Sequence, residues 1–323
     1  MSVLAFDTSN YTTSVAAFDG AQARNESRLL DVAHGTLGLR QSDALFSHIK
    51  RLPELTDRLF SVLPSFVPEA VGASTRPRAV EGSYMPCFLA GATQAQVMAR
   101  TLGVPFYAFS HQQGHIAAAL FSSGHMELMD TPHLAWHLSG GTTELLHVVP
   151  DGRNVRAERI GGTTDISAGQ LIDRTGKLLG LDFPAGKQLD ALSRTAEGEN
   201  GFRVKVNGLS FSLSGVQNQV EAFHRPDAPQ ETAAFALHSL IGAIVRATQN
   251  ALRQYPGHTV VFSGGVASNS LLRSACAALP AVFCPPQFST DNALGVAVLT
   301  WRMHHAAADL CGLADQRIHQ AAL

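Results

Sequence analysis

Two strand–turn–strand patterns set far apart in the chain constrain its fold more than any other feature. Val3 to Phe6 and Ser14 to Phe18 are short apolar runs on either side of a polar turn, Asp7-Thr8-Ser9-Asn10-Tyr11-Thr12-Thr13. Leu134 to Leu138 and Leu145 to Val149 repeat the plan around Ser139-Gly140-Gly141-Thr142-Thr143. Each pattern reads as a hairpin, and each opens a segment of more than 100 residues. The pair points to a duplicated architecture. Helices are expected at Cys87 to Leu102, stopped by Gly103 and Pro105, and at about Gln112 to Phe121, Leu171 to Leu179 and Thr232 to Arg253. Two more are expected at Ser268 to Leu279 and at Asn292 to His304, the last capped by Thr290 or Asp291. Strands at Phe106 to Phe109 and Val260 to Phe262 fall between them. Alternating strands and helices favour α/β layers, and 323 residues exceed one ordinary core of roughly 100–200 residues. The expected division is an N-terminal α/β domain of residues 1–110, rejoined by 300–323, and a C-terminal α/β domain of residues 111–299.

Composition narrows the setting. With 45% apolar and 15% charged residues the chain is globular. A formal charge of −2 argues against a nucleic-acid binder with a broad basic stripe. The densest basic stretches are Lys50, Arg51 and Arg58, then Arg203 and Lys205, so an RNA ligand would need a partner to supply much of the grip. The four cysteines, Cys87, Cys276, Cys284 and Cys311, have no metal or redox spacing and are expected to be reduced. The first residues lack the basic head and apolar core of a secretion signal. No window approaches the run of about 18 apolar residues that a membrane span needs. The expectation is a cytoplasmic protein with no membrane partner.

Several motifs could carry chemistry. His111-Gln112-Gln113-Gly114-His115 places two imidazoles on one helix face, where they can meet one metal ion; two structural histidines are the alternative. Gln112 stands where an HExxH protease carries its glutamate, which disfavours that class. The Ser139–Thr143 turn is an ordinary hairpin turn or a close backbone approach to phosphate oxygens. Ser263-Gly264-Gly265-Val266-Ala267-Ser268-Asn269 joins a buried strand to a helix, as a tight connection or as a nucleotide site. The run from Asp165 to Asp190, holding Asp173, Lys177, Gly180, Pro184 and Gly186, suits a ribose or adenine, or a capped surface helix. Asp291 at the start of the last helix is a cap or a metal ligand.

Taken in order, these segments resemble the universal tRNA threonylcarbamoyladenosine synthase family, formerly called the O-sialoglycoprotein endopeptidase or glycoprotease family. The resemblance runs from Val3 to about Ala297. It rests on SHQQGHIAA around His111, SGGTTEL at Ser139, AGQLIDRTGKLLGLDFPAGKQLD from Ala168, FSLSG at Phe211, SGGVASNSLLR at Ser263 and STDNA at Ser289. It implies the actin, hexokinase and heat-shock ATPase fold: two α/β domains, each a five-stranded mixed sheet with helices, and a nucleotide and metal cleft between them. It implies one divalent metal ion, iron or zinc, on His111, His115 and Asp291. Implied nucleotide contacts are His137, Leu138, Ser139, Gly140, Gly141, Asp173, Gly186, Asp190 and Asn269. The implied substrate is an adenine nucleotide or acyl-adenylate, and the implied reaction carries threonylcarbamoyl from its AMP adduct to N6 of the adenosine beside the tRNA anticodon. Helper proteins of the threonylcarbamoylation complex and a homo- or heterodimer are implied partners.

Three positions depart from the family pattern. The first turn usually reads Ser-Cys-Asp-Glu-Thr; here it reads Ser9-Asn10-Tyr11-Thr12-Thr13, without the acidic pair. A Gly-Pro-Gly loop is replaced by Thr75-Arg76-Pro77-Arg78-Ala79-Val80-Glu81-Gly82, and Thr142 replaces the histidine usual after Ser-Gly-Gly. This suits a paralogue with a changed acceptor or reduced activity. A non-catalytic nucleotide- and metal-binding subunit is the alternative reading, and a metalloprotease, as the older family name suggests, is a further one. No side chain is singled out as catalytic, because a mixed-anhydride substrate needs no activated Ser or Cys.

Overall fold

The computed structural model describes residues 2–9, 11–31, 39–285 and 292–305. The chain divides into two compact units: Met1–Asp130 with Pro150–Arg156 and Asp291–Leu323, and Thr131–Val149 with Ala157–Thr290.

The first unit holds β1 (Val3–Thr8), β2 (Thr12–Phe18), β3 (Ala23–Leu29), α1 (Gln41–Ser61), β4 (Ala70–Arg76), α2 (Phe88–Leu102), β5 (Phe106–Ser110) and α3 (His111–Ser123). Its sheet runs β3-β2-β1-β4-β5. The first three strands pair antiparallel, and β1, β4 and β5 pair parallel, so the sheet is mixed. All six residues of β1 are buried, as a central strand with both faces covered requires. Helix α1 lays Leu52, Leu55 and Leu59 on Leu4, Phe6 and Val15. The last helix, residues 294–305, also belongs to this unit. It crosses α3 so closely that a Cβ on Gly295 would overlap the Gly114 carbonyl. The cap expected at Thr290 or Asp291 lies outside the described residues; Asn292 Oδ1 accepts from the Leu294 amide at 3.1 Å.

The second unit holds β6 (His133–Leu138), β7 (Thr143–Asp151), β8 (Asn154–Thr163), α4 (Ala168–Leu178), α5 (Gly186–Ser193), β9 (Val206–Asn207), β10 (Ser210–Phe211), α6 (Ser214–Phe223), α7 (Pro229–Gln254), β11 (Val260–Ser263), α8 (Ser270–Ala275) and β12 (Ala281–Phe283), with the tip of β7–β8 assigned to the first. Its sheet order is β12-β11-β6-β7-β8-β10-β9. Read as β8-β7-β6-β11-β12, this repeats the order of the first sheet, with β6 antiparallel to β7 and parallel to β11. The duplication expected from the two hairpins is therefore present. The second sheet has seven strands where the resemblance implies five. The extra β9–β10 hairpin extends the edge beyond β8 and buries Leu209 and Phe211 in the core. Helix α8 is shorter than expected. Residues 265–268 form a 3-10 turn, and Asn269 is extended, its Oδ1 accepting from the Leu272 amide at 3.0 Å. An N-cap asparagine thus starts the helix later than periodicity suggests, and the C-cap at Cys276 ends it before Leu279.

One buried group ties the first unit to pH. His48, on α1, is fully buried, and its Nδ1 meets Thr13 Oγ1 at 2.8 Å. Burial is the main cause that drops its pKa from 6.5 to about 4; the Ser9 backbone and Asp7 oppose that shift. The folded state disfavours the proton, so stability is intact above 6.5 and is lost as pH falls toward 4. Between pH 6.5 and 5 the unfolding free energy should fall by up to about 1 kcal/mol per pH unit. Urea unfolding of wild type and His48→Gln at both pH values tests this: the variant should lose that part of the slope.

Candidate functional site

In the first unit, β1 and β5 end at the same edge of the sheet, and α3 starts directly from β5. Ser110 caps α3: its Oγ accepts from the Gln113 amide at 3.2 Å, while Gln113 Oε1 accepts from the Ser110 amide at 2.9 Å. Gln113 Nε2 then donates to the Val155 carbonyl at 2.8 Å. The first turn of α3, with His111 at its head, is therefore fixed. His111 Nε2 and His115 Nε2 lie 2.9 Å apart. Two bonds of about 2.0–2.1 Å to one ion leave donor nitrogens about 3 Å apart, so the pair fits a shared metal. His111 Nδ1 meets Asp7 Oδ2 at 2.8 Å, and Asp7 is 1% exposed. The other carboxylate oxygen accepts from the Ser9 amide at 3.0 Å. A carboxylate on the second nitrogen of a ligating histidine fixes its tautomer and aims its lone pair.

Asp291 lies outside the described residues, and among those described no three His, Cys, Asp or Glu side chains are grouped as a metal needs. The residues that follow it are well anchored. The Ala293 amide donates to Ser14 Oγ at 2.8 Å and to Asn25 Oδ1 at 3.1 Å. The last helix then crosses α3 at Gly114, between the two histidines in sequence.

In the second unit, the glycine turns meet at the ends of β6 and β11. Gly264 has φ +91°, and a Cβ there would strike the Leu138 carbonyl. A Cβ on Gly169, in the first turn of α4, would strike Gly140 and the Ser139 carbonyl. These backbones approach more closely than any side chain permits, whereas Gly140, Gly141 and Gly265 face open space. That combination is a cradle with exposed amides, the kind that accepts an anion. Ser167 caps α4 and also donates its hydroxyl to the Gly140 carbonyl. His137 sits on β6 in register with Ser263 and Glu144.

The carboxylates of this unit are partly committed to the protein. Asp190 accepts from Asn269 Nδ2 at 3.0 Å and from the Ser270 hydroxyl at 2.8 Å, so it holds Asn269 in place. Asp173 accepts from the Ala185 amide at 2.9 Å, one residue before Gly186. Burial raises its pKa, and the Ala185 bond offsets part of that. Asp165 locks the FSLSG loop: burial would raise it, but the hydroxyls of Ser212 and Ser214 and two backbone amides hold it well below the ordinary carboxylate range.

The family model for tRNA N6-adenosine threonylcarbamoyltransferase (TsaD) matches residues 47–298. The chain belongs to this family. It is 34% identical to a tRNA N6-adenosine threonylcarbamoyltransferase of Thermus thermophilus, over 80% of this chain and 78% of the relative. It is 28% identical to the protein of that name from Thermosipho africanus, over 94% of each. The family is one of transferase enzymes. Among solved structures, full-length HypF in a phosphate- and nucleotide-bound form superposes with TM-score 0.58 at 14% identity, covering 94% of this chain and 46% of that one. The activator of 2-hydroxyisocaproyl-CoA dehydratase from Clostridium difficile gives 0.53 at 13%, covering 96% and 97%. A ROK family protein from Streptococcus pneumoniae also gives 0.53, at 12% identity, covering 95% and 100%. These likenesses establish the actin/hexokinase-type fold. No described helix is long and apolar enough to cross a membrane.

Sequence reasoning missed Asp7, whose signal was a lone carboxylate closing an otherwise apolar strand. Asp7→Asn should keep the fold and weaken metal binding roughly 10–100-fold. Competition with a chromophoric chelator measures this, and an unchanged affinity would remove Asp7 from the site.

Proposed function

We propose that this chain transfers a threonylcarbamoyl group from its mixed anhydride with AMP to N6 of an adenosine in tRNA, using one divalent ion, iron or zinc, on His111, His115 and Asp291. The observation that carries the reading is the 2.9 Å convergence of the two imidazole Nε2 atoms, with His111 oriented from behind by Asp7. When bound, the ion supplies Lewis-acid polarisation of the carbamoyl carbonyl.

The chain's own residues do the rest. Asp7 holds the proton of His111 on Nδ1, which keeps the lone pair on Nε2. The amides of Gly140 and Gly141, with the turn at Gly264, receive the AMP phosphate, and the Ser139 amide, donated to the Thr142 carbonyl, holds that turn closed. Asn269, set by Asp190, and Asp173, beside Gly186, meet the ribose or adenine, and His137 and Leu138 lead β6 into the glycine turn. The adenine amine attacks the carbamoyl carbon; the bond to the phosphate oxygen breaks, and AMP leaves with that electron pair while the amine loses its proton. No protein nucleophile intervenes, because the anhydride is already activated. Helper proteins of a threonylcarbamoylation complex, a homo- or heterodimer and a cytoplasmic setting complete the proposal.

The test supplies threonylcarbamoyl-AMP, unmodified tRNA and family partner proteins, followed by nucleoside mass spectrometry. Threonylcarbamoyladenosine should form, and His111→Ala should reduce it at least about 100-fold, the larger end of losses seen when a metal site is disturbed. No modified adenosine under any partner combination would overturn the proposal. A second reading, a nucleotide-binding regulator, is favoured by one observation: Tyr11 and Thr12 occupy the positions of the acidic pair, and Thr12 is buried in β2. Binding of the adduct without its consumption would select that reading.

A further inference from the structure

The basic residues Arg203 and Lys205 do not stand alone in the fold. They line a groove with Arg246, Gln249, Asn250 and Arg253 of α7. Residues 246, 249, 250 and 253 follow the i, i+3, i+4, i+7 spacing of one helix face. Arg203 and Lys205 are two apart on the extended run into β9, so they share one side of it. The two stripes are held together by backbone contacts: Arg246 Nη2 donates to the Val204 carbonyl at 2.9 Å, and Asn250 Nδ2 to the Gly208 carbonyl at 2.7 Å. Among the described residues, no carboxylate lines the groove. Arg203, Lys205, Gln249 and Arg253 all reach solvent.

This is an unusual arrangement for a chain of net charge −2. Burial, and then the charge of Arg203, lower the pKa of Arg246, so like charges are held close within a groove whose described lining offers no carboxylate. An arginine in the last turn of a helix can be explained by the helix dipole. That accounts for Arg253 and not for Arg246, two turns earlier, or for the strand residues. From Arg246 to Arg253 the helix advances about 10 Å. That length is enough to run beside neighbouring phosphates of one nucleic-acid strand, each of which carries one negative charge.

We infer that the groove between α7 and the run into β9 binds the phosphate backbone of RNA. The inference rests on the proposed tRNA acceptor for its ligand and adds a contact surface apart from the glycine turns. Helix α7 ends at Gln254, and the chain then enters β11 at Val260, at the opposite end of that strand from Ser263 and Gly264. Phosphate contacts of this kind hold and orient without reading sequence.

The full-length chain and an Arg203→Gln/Lys205→Gln variant are titrated with an unmodified tRNA transcript, a duplex RNA of similar length and a polyglutamate peptide, each at several salt concentrations. Arg246 is left intact because it braces Val204. AMP binding and circular dichroism should be the same in both proteins. The variant should bind both RNAs more weakly, and the slope of log affinity against log salt should become shallower by roughly 1 for each contact removed, about 2 in all. An unchanged slope overturns the groove, whatever the transfer assay shows. So does a wild-type protein that binds neither RNA at low salt, or one that binds only the acidic peptide. RNA binding lost in the variant, with no transfer by the wild type, upholds the groove while the transferase reading falls.

Discussion

Both candidate sites are built where two stretches of backbone approach closer than a Cβ allows. Gly295 lets the last helix press on α3 at Gly114, between the two histidines in sequence. Gly169 and Gly264 let α4 and the β11 turn close on Ser139, Gly140 and Leu138. Such contacts are costly to lose, since a larger residue at any of them must push an entire element away. They also explain why glycines that look alike in the sequence act differently. Gly140, Gly141 and Gly265 face open space and line a cradle, whereas Gly169 and Gly264 shape it.

A second constraint is electrostatic. Three carboxylates near these sites are satisfied by donors that fix something else. Asp7 fixes His111, Asp190 fixes Asn269, and Asp165 fixes the loop of Ser212 and Ser214. A carboxylate removed from water needs such partners. The consequence is a rigid frame in which imidazoles, amides and an asparagine side chain are the groups presented to ligands, and the carboxylates mostly stand behind them.

The sequence made the duplication legible because both hairpins alternate apolar strands with polar turns, and the repeated strand order confirms it. The helices holding His111, His115 and Asp173 were legible from periodicity and stop signals. Asp7 was not, because its partner lies 104 positions away on α3, and no local pattern marks a contact between the end of one strand and the start of a helix two strands across the sheet. Helix α8 was overextended for a related reason. The apolar spacing from Ser268 to Leu279 is helical throughout, yet Asn269 caps the helix at its start, and beyond Ala275 the chain tightens into a turn in which the Ala277 amide donates to the Ser274 carbonyl. The basic groove was half legible: Arg203 and Lys205 stood out as a pair, but Arg246 and Arg253 joined them only once α7 was laid beside the run into β9.

The altered first turn acquires a physical meaning beside this frame. In place of two acids the chain has Tyr11 and Thr12, and the next residue, Thr13, is tied to the buried His48. Two carboxylates here would bring negative charge near Asp7 and, through His48, oppose the neutral imidazole on which the α1–β2 packing depends. Loss of the pair and burial of a neutral histidine are thus mutually consistent features of this end of β1. Asp7, which orients His111, accepts from the Ser9 amide in that same turn, so the exchange and the orienting carboxylate share one stretch of backbone. The third departure, Thr142, lies in the glycine turn of the second unit, where its amide donates to Ser139 Oγ and its carbonyl accepts from the Ser139 amide, so the exchanges of this chain reach both candidate sites and are absorbed there by local hydrogen bonds.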